Sequence, residues 1–194
     1  MGDIDRSALM LDLQKTLKKT IVFVSHDLDE ALKLGNRIVI LEGGRIVQVG
    51  TAEDILLRPA DDYVAEFVKH MNPLNVLRGN SVMKPAELLT RHEDAVLLDP
   101  DGRIRVTLDP EGRPTGVSLD GQAGRITSCL AEVEQIEIRP ADILLASVDL
   151  KLRAAIALKR QTGHPILLVD QLGRLAGLCG DEEIYRGLLR RGGE

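Results

Sequence analysis

Three consecutive residues, Ser25, His26 and Asp27, have side chains suited to phosphate chemistry. They stand at the end of an apolar stretch, residues 20–25, and precede a helical pattern; ligand sites of α/β proteins usually lie at such a junction. An imidazole placed there can contact a phosphate group. The alternative is a polar strand end in which Asp27 only caps the helix. A serine-hydrolase triad is excluded, because adjacent side chains of an extended chain point apart.

The first seventy residues alternate between helical and strand patterns. Residues 20–25 are apolar at nearly every position, which is typical of a strand buried on both faces of a parallel sheet. Asp27 and Glu30 have the spacing that caps a helix, and Gly35 is placed to end it. The predicted order is a helix at 6–19, a strand at 20–25, a helix at 27–34, a hairpin at 37–49 with a glycine turn, a helix at 51–57 with Thr51 and Asp54 at capping-box spacing, and a helix at 61–70.

The second half contains an internal repeat with an offset of 61 residues. Both copies have the same order: an apolar run, an Asp, a glycine turn and a second apolar run. This pattern predicts two strands joined by a tight turn in each copy. The second copy has flanking helical patterns and predicts the order β-α-β-β-α, closing with a helix at 181–190. The first copy has no comparable helix between residues 83 and 97 and is degenerate. The matching residues are Asp109, Gly112, Arg113 and Gly116, then Asp170, Gly173, Arg174 and Gly177.

The composition is that of a folded protein without membrane segments. With 194 residues, 44% of them hydrophobic, the chain is long enough for one large or two small domains. A net charge of -5 and an aromatic content of 2% argue against nucleic-acid binding. The sequence shows neither a membrane-helix pattern nor a signal-peptide pattern, so a cytoplasmic location is expected. Cys129 and Cys179 lie in apolar stretches and are predicted to be reduced and buried, and no metal site is predicted.

Two segments of the first half resemble the ATPase subunits of ABC transporters. Residues 20–34, TIVFVSHDLDEALKL, resemble their switch-histidine segment, and residues 37–68 resemble the segment after it in glycine betaine, proline and choline importers. The resemblance implies that His26 contacts the γ-phosphate of ATP and helps to position the attacking water, with Ser25 and Asp27 as its supports. It also implies ATP and magnesium as cofactors of the intact parent, and a transmembrane permease as its partner at the inner face of the plasma membrane.

Other motifs of such ATPases do not occur in the sequence. It contains no G-x-x-x-x-G-K-[ST] phosphate loop, no Leu-Ser-Gly-Gly-Gln-like signature, and no apolar run ending in two carboxylates shortly before residue 20. Phosphoryl transfer is catalysed by positioning and charge neutralisation at several points at once, and a single histidine supplies one of them. We therefore expect the chain by itself neither to bind ATP tightly nor to hydrolyse it, although the parent subunit would be a transport ATPase.

The second half resembles a pair of CBS modules, the regulatory extension of such ATPase subunits. Residues 149–189 have the module's usual order of helix, strand, Asp-x-x-Gly-Arg turn, strand and helix. In ligand-binding members a Thr and a nearby Asp hold the phosphate and the ribose. Here Gly180, Asp181 and Glu183 are the candidate ligand site, with Gly180 and Glu183 at those positions. Gly180 has no hydroxyl and Glu183 has a different reach, which argues against an adenine nucleotide. The alternative is a packing module that mediates subunit contact or senses ionic strength.

Together, the patterns and the resemblance predict an α/β chain in which part of an ABC ATPase C-terminal subdomain precedes a degenerate tandem CBS module. Residues 1–70 form the ATPase remnant, residues 71–80 the linker and residues 81–194 the CBS pair, through which a homodimer would form. The predicted function is the regulatory portion of an osmolyte-import ATPase subunit. Two alternatives stay open: a separate ligand-sensing or ionic-strength-sensing module, and a nonfunctional fragment.

Overall fold

The computed structural model describes residues 16, 19–130 and 137–189. Most of the helix predicted at 6–19 therefore lies outside the described residues. The chain divides into two compact units, unit 1 up to Val76 and unit 2 from Leu77 to Leu189. Within the described ranges there are six α-helices and three β-sheets, so the fold is mixed α/β.

Unit 1 has the predicted order of elements after residue 26. Asp27 caps the first helix, and Thr51 and Asp54 form both arms of a capping box, as predicted. Gly43 and Gly44 turn the hairpin with φ angles of 55° and 79°, which glycine adopts without strain. The elements are α1 (Leu28–Leu34), β1 (Ile38–Glu42), β2 (Arg45–Gly50), α2 (Ala52–Leu57) and α3 (Asp62–Val68).

The prediction of a buried strand at residues 20–25 is wrong. Residues 21–25 are assigned to no strand; Val22 is 87% and Val24 89% exposed, while Ile21 and Phe23 are each about 40% exposed. The exposure alternates as in an extended chain, with one side partly packed and the other open. A strand that is apolar on both sides needs neighbouring strands and covering helices, and no described residue supplies them.

Unit 2 contains two five-stranded sheets. Its elements are α4 (Gly79–Val82), β3 (Lys84–Pro85), a 3-10 turn (Ala86–Leu88), β4 (Arg91–His92), β5 (Ala95–Leu97), β6 (Ile104–Leu108), β7 (Pro114–Leu119), β8 (Gln122–Ala123), β9 (Ile126–Ser128), β10 (Ile143–Ser147), α5 (Leu152–Thr162), β11 (Ile166–Val169), β12 (Leu175–Cys179) and α6 (Asp181–Leu189). In the first sheet, ordered β3-β12-β11-β10-β9, β10 runs parallel to β9 and β11, and β12 is antiparallel to both of its neighbours. The second sheet is the antiparallel series β4 to β8.

Both sheets of unit 2 contribute to one hydrophobic core. Val106 of the second sheet and Ile143 and Leu167 of the first sheet are completely buried in it. The order β10-α5-β11-β12-α6 is the predicted β-α-β-β-α, and α5 ends at Gly163 with a φ of 71°. Unit 2 therefore has the apolar centre that a folded domain needs.

The repeated hairpins β6-β7 and β11-β12 have the same backbone pairing. Four of the five pairs in β6-β7 recur 61 residues later, for example Thr107↔Gly116 as Leu168↔Gly177. The register also shifts at the same place, after Thr107 in one hairpin and after Leu168 in the other. The predicted duplication thus extends from residue identity to strand register. The first copy has β4 and β5 where the second copy has α5, in agreement with the missing helix pattern between residues 83 and 97.

The two hairpin turns contact each other. The Leu175 amide donates a hydrogen bond of 2.9 Å to the Gly112 carbonyl, and Arg113 Nε donates one of 3.1 Å to the Leu172 carbonyl. The residue equivalent to Leu175 in the first copy is Pro114, which has no amide hydrogen, so the reciprocal bond cannot form. The duplicated hairpins therefore meet asymmetrically.

Candidate functional site

The residues around His26 form a tight hydrogen-bonded turn at the start of α1. The Asp27 carboxylate accepts the Glu30 amide at 3.1 Å, and the Asp27 amide donates to Ser25 Oγ at 3.0 Å. Ser25 Oγ in turn donates to Glu30 Oε2 at 2.8 Å. His26 lies exposed between the two ends of this turn. The structure thus brings Ser25, His26 and Asp27 together where an imidazole can reach a ligand.

An apolar cavity of about 750 Å³ lies next to this turn in unit 1. Its walls come from residues 19–25, α1, β1 and Phe67, and the Phe67 ring stacks on Tyr63 with centroids 6.0 Å apart. Ser25 lines the cavity, whereas His26 and Asp27 stand outside it. Sequence reasoning missed this cavity, although the apolar character of both sides of residues 20–25 was a signal that a covering layer is needed.

The second candidate site, Gly180, Asp181 and Glu183, lies where β12 passes into α6. The Glu183 side chain is buried, and its Oε2 accepts the Gly180 amide at 2.9 Å. Asp181 is exposed and pairs with Lys159 at 2.8 Å. A Cβ atom at Gly180 would stand 3.2 Å from Glu183 Oε2. The three residues are close together, and both carboxylates already have partners within the chain.

A buried carboxylate in unit 2, Asp142, was missed by sequence reasoning. It accepts hydrogen bonds from Arg125 Nη2 at 2.6 Å, from Thr127 Oγ1 at 2.9 Å and from the Arg139 amide at 2.9 Å. The Arg125 guanidinium, helped by these donors and opposed by burial, holds the pKa of the Asp142 carboxyl well below its usual range. Arg125 and Thr127 lie in one segment and Arg139 in another, so no single spacing motif in the sequence identifies the cluster. The cluster links the residue before β9 to the residue before β10 through an ion pair.

Both cysteine thiols are buried in unit 2. Cys129 and Cys179 are free and buried, as predicted. Burial raises the pKa of both thiols, that of Cys179 to about 12. Both are therefore protonated at neutral pH, and a protonated thiol is a poor nucleophile and metal ligand. Over residues 16, 19–130 and 137–189, the His, Cys, Asp and Glu side chains form no group of three that could hold a metal ion.

Comparison with known proteins identifies the relatives of the chain. It is 70% identical over 56 residues to the choline transport ATP-binding protein OpuBA of Bacillus subtilis, which covers 29% of the chain and 15% of that protein. It is 43% identical over 99 residues to the glycine betaine transport ATP-binding protein OpuAA of the same organism, covering 51% and 22%. The chain matches part of the ATP-binding subunits of osmoprotectant ABC importers. The resemblance predicted from residues 20–34 and 37–68 is confirmed.

A longer match extends over almost the whole chain. The glycine betaine/proline betaine transport ATP-binding protein ProV of Salmonella typhimurium is 29% identical over 195 residues, covering 95% of the chain and 48% of that protein. The chain thus spans at most about half the length of these relatives. No protein-family model matches it.

These ATP-binding subunits are at least about twice as long as the part that the chain matches. Among the described helices, none combines the length and the apolar character needed to cross a bilayer.

Proposed function

We propose that this chain is the C-terminal regulatory portion of the ATPase subunit of an ABC importer for glycine betaine, proline or choline, and that it does not hydrolyse ATP alone. The observation that carries the proposal is the exposed His26, held in a hydrogen-bonded turn at the start of α1, in a chain that matches ATP-binding subunits of such importers. In the assembled subunit His26 contacts the γ-phosphate of ATP, and Ser25 and Asp27 support it.

The described residues do not suffice to hold ATP and magnesium. They offer one exposed imidazole, and neither a glycine-rich phosphate cradle nor a cluster of carboxylates suited to a cation is found among them. Charge neutralisation at several points is required for phosphoryl transfer. No step of ATP hydrolysis is therefore assigned to this chain alone, and the remaining groups belong to other parts of the proposed subunit.

The surface of unit 1 supports packing against further ATPase structure. Val22 and Val24 are almost fully exposed, Ile21 and Phe23 are less so, and all of residues 21–24 border the cavity of about 750 Å³. An exposed apolar stretch with this alternation is the expected edge of an incomplete sheet. Further strands and helices would cover both faces of residues 20–25 and place the end of the stretch, with His26, beside the nucleotide.

Unit 2 supplies the proposed regulatory part. In this proposal residues 1–70 are an ATPase remnant, 71–80 a linker and 81–194 a degenerate CBS pair. The duplicated hairpin register and the order β10-α5-β11-β12-α6 support it. The pair would form a homodimer, and the parent subunit would bind a permease at the inner face of the plasma membrane. Regulation by subunit contact or ionic strength fits better than nucleotide binding, because the Glu183 carboxylate is buried and bonded to Gly180.

A chimeric ATP-binding subunit, called the graft below, tests the proposal. The matching part of an ATP-binding subunit such as ProV of Salmonella typhimurium is replaced by this chain, and glycine betaine uptake is measured at high salt. We expect the graft to restore uptake and His26→Ala to abolish it, whereas His92→Ala, another exposed histidine, leaves it unchanged. A graft that folds and assembles with its permease but transports nothing would contradict the proposal.

The second candidate function is a separate module that senses a ligand or the ionic strength. It is favoured by the complete hydrophobic core of unit 2. Isothermal titration of the chain with ATP-magnesium, AMP and a cyclic dinucleotide, together with its molar mass from light scattering, tests whether the module senses a ligand. Micromolar binding that is lost in Glu183→Ala would support this candidate. A dimer without binding would favour assembly or ionic-strength sensing.

A further inference from the structure

The cap of α1 differs from an ordinary capping box. In such a box the N-cap side chain accepts the N3 amide, and the N3 side chain accepts the N-cap amide directly. At α2 this occurs, since the Thr51 amide donates to Asp54 Oδ2 at 3.1 Å. At α1 the Asp27 amide donates instead to Ser25 Oγ, and that hydroxyl donates to Glu30 Oε2.

The Ser25 hydroxyl, which stands between the Asp27 amide and the Glu30 carboxylate, links the residues on both sides of His26. Ser25 Oγ accepts from the Asp27 amide at 3.0 Å and donates to Glu30 at 2.8 Å, so its position is fixed from α1. A hydroxyl can donate one hydrogen bond, and here the half-buried Glu30 carboxylate accepts it. The hydroxyl oxygen is thereby oriented as an acceptor for the Asp27 amide. His26 is held at the apex of this closed turn with its ring exposed.

We propose that Glu30 is a positioning residue for His26. It acts through the Ser25 hydroxyl, and it fixes the backbone of residues 25–27 in the conformation that presents the imidazole. The identity of the group that His26 contacts rests on the proposed function, whereas the relay through Ser25 does not. A role of Glu30 in helix capping alone would not involve the Ser25 side chain.

Amide hydrogen exchange of the full chain, measured by NMR together with the imidazole resonances of His26, tests the relay. We expect Ser25→Ala to speed exchange of the Asp27 amide about tenfold, because the amide loses its acceptor. Glu30→Ala should also speed it, because the Ser25 hydroxyl is no longer oriented as an acceptor. Both variants should shift the His26 signals. Ser25→Thr and Glu30→Gln keep a hydroxyl and an acceptor, so both should behave like the wild type.

Asp54→Ala is the matched control, since it removes a capping box in unit 1 away from His26. It should leave the Asp27 amide and the His26 signals unchanged. The proposed link from Glu30 through Ser25 to His26 is overturned if Ser25→Ala and Glu30→Ala leave these signals at their wild-type values. It is also overturned if Ser25→Thr and Glu30→Gln change the signals as much as the alanine variants do, or if Asp54→Ala shifts them equally. In the graft, Glu30→Ala should lower kcat more than it raises KM. A graft that is inactive with the wild-type chain contradicts the proposed function, while the NMR measurements still decide the relay.

Discussion

At the scale of single residues, Asp142 shows how one carboxylate organises separate parts of unit 2. Its oxygens accept donors from Arg125, Thr127 and the Arg139 backbone. A buried carboxylate is tolerated only when such partners replace the water that it has lost. The low pKa of Asp142 in the folded state means that its ionised form favours folding. This contribution is present above the carboxyl's unfolded pKa of about 3.9 and is lost as the pH falls towards the folded value.

Replacing Asp142 by Asn tests this linkage. The amide keeps one acceptor oxygen but loses the charge, so the free energy of unfolding at pH 7 should fall by about 2 kcal/mol. Below about pH 4 the variant should lose less stability than the wild type with each step of acidification. Urea unfolding followed by circular dichroism measures both effects. Asp120→Asn is the control, because Asp120 also pairs with an arginine, at 2.8 Å, but is exposed. Equal losses in the two variants would contradict the prediction.

At the scale of elements, the duplicated hairpins have acquired different neighbours. Strand β12 pairs with β3, and a Cβ atom at Gly177 would lie 2.5 Å from the Lys84 carbonyl oxygen and 2.8 Å from Met83 Sδ. At the equivalent Gly116 the nearest atoms belong to Thr107, at 3.9 Å. The same residue type therefore admits a close strand in one copy, whereas the other copy has room for a side chain.

Alanine substitutions at the two equivalent glycines separate these roles. Gly177→Ala should lower the free energy of unfolding by about 2 kcal/mol, because the new methyl group clashes with the backbone of β3. Gly116→Ala should be neutral or slightly stabilising, because it only reduces the freedom of the unfolded chain. Thermal unfolding of both variants by circular dichroism provides the comparison. A loss in Gly116→Ala as large as in Gly177→Ala would show that the strand itself requires glycine at this position.

Local signals predicted the elements that local interactions form. The capping pairs Asp27–Glu30 and Thr51–Asp54, the glycine turn of the first hairpin and the repeat all lie within short stretches of sequence, and the structure contains each. The burial of residues 20–25 could not be predicted in this way, since it depends on neighbours elsewhere in the fold. The Ser25 relay and the Asp142 cluster were missed because side-chain geometry, rather than spacing, creates them.

At the scale of the whole molecule, the two units differ in completeness. Unit 2 buries residues of both its sheets in one core. Unit 1 completely buries Ile55 and Val64, yet it exposes Val22 and Val24 and contains the apolar cavity. Because apolar surface that is open to water favours association, unit 1 is the part of the chain expected to acquire a covering partner.

The double substitution Val22→Thr and Val24→Thr tests this asymmetry. Since both side chains are already exposed, the free energy of unfolding of the isolated chain should change by less than about 0.5 kcal/mol, while binding of a hydrophobic dye and self-association should decrease. Val64→Thr is the control: it puts a hydroxyl into a buried site and should destabilise unit 1 by about 2 kcal/mol. Chemical unfolding, dye fluorescence and light scattering provide the measurements. In the grafted subunit the double variant should impair assembly, because the same valines would then be covered. If it destabilises the isolated chain as much as Val64→Thr does, residues 20–25 are already packed in solution and need no partner.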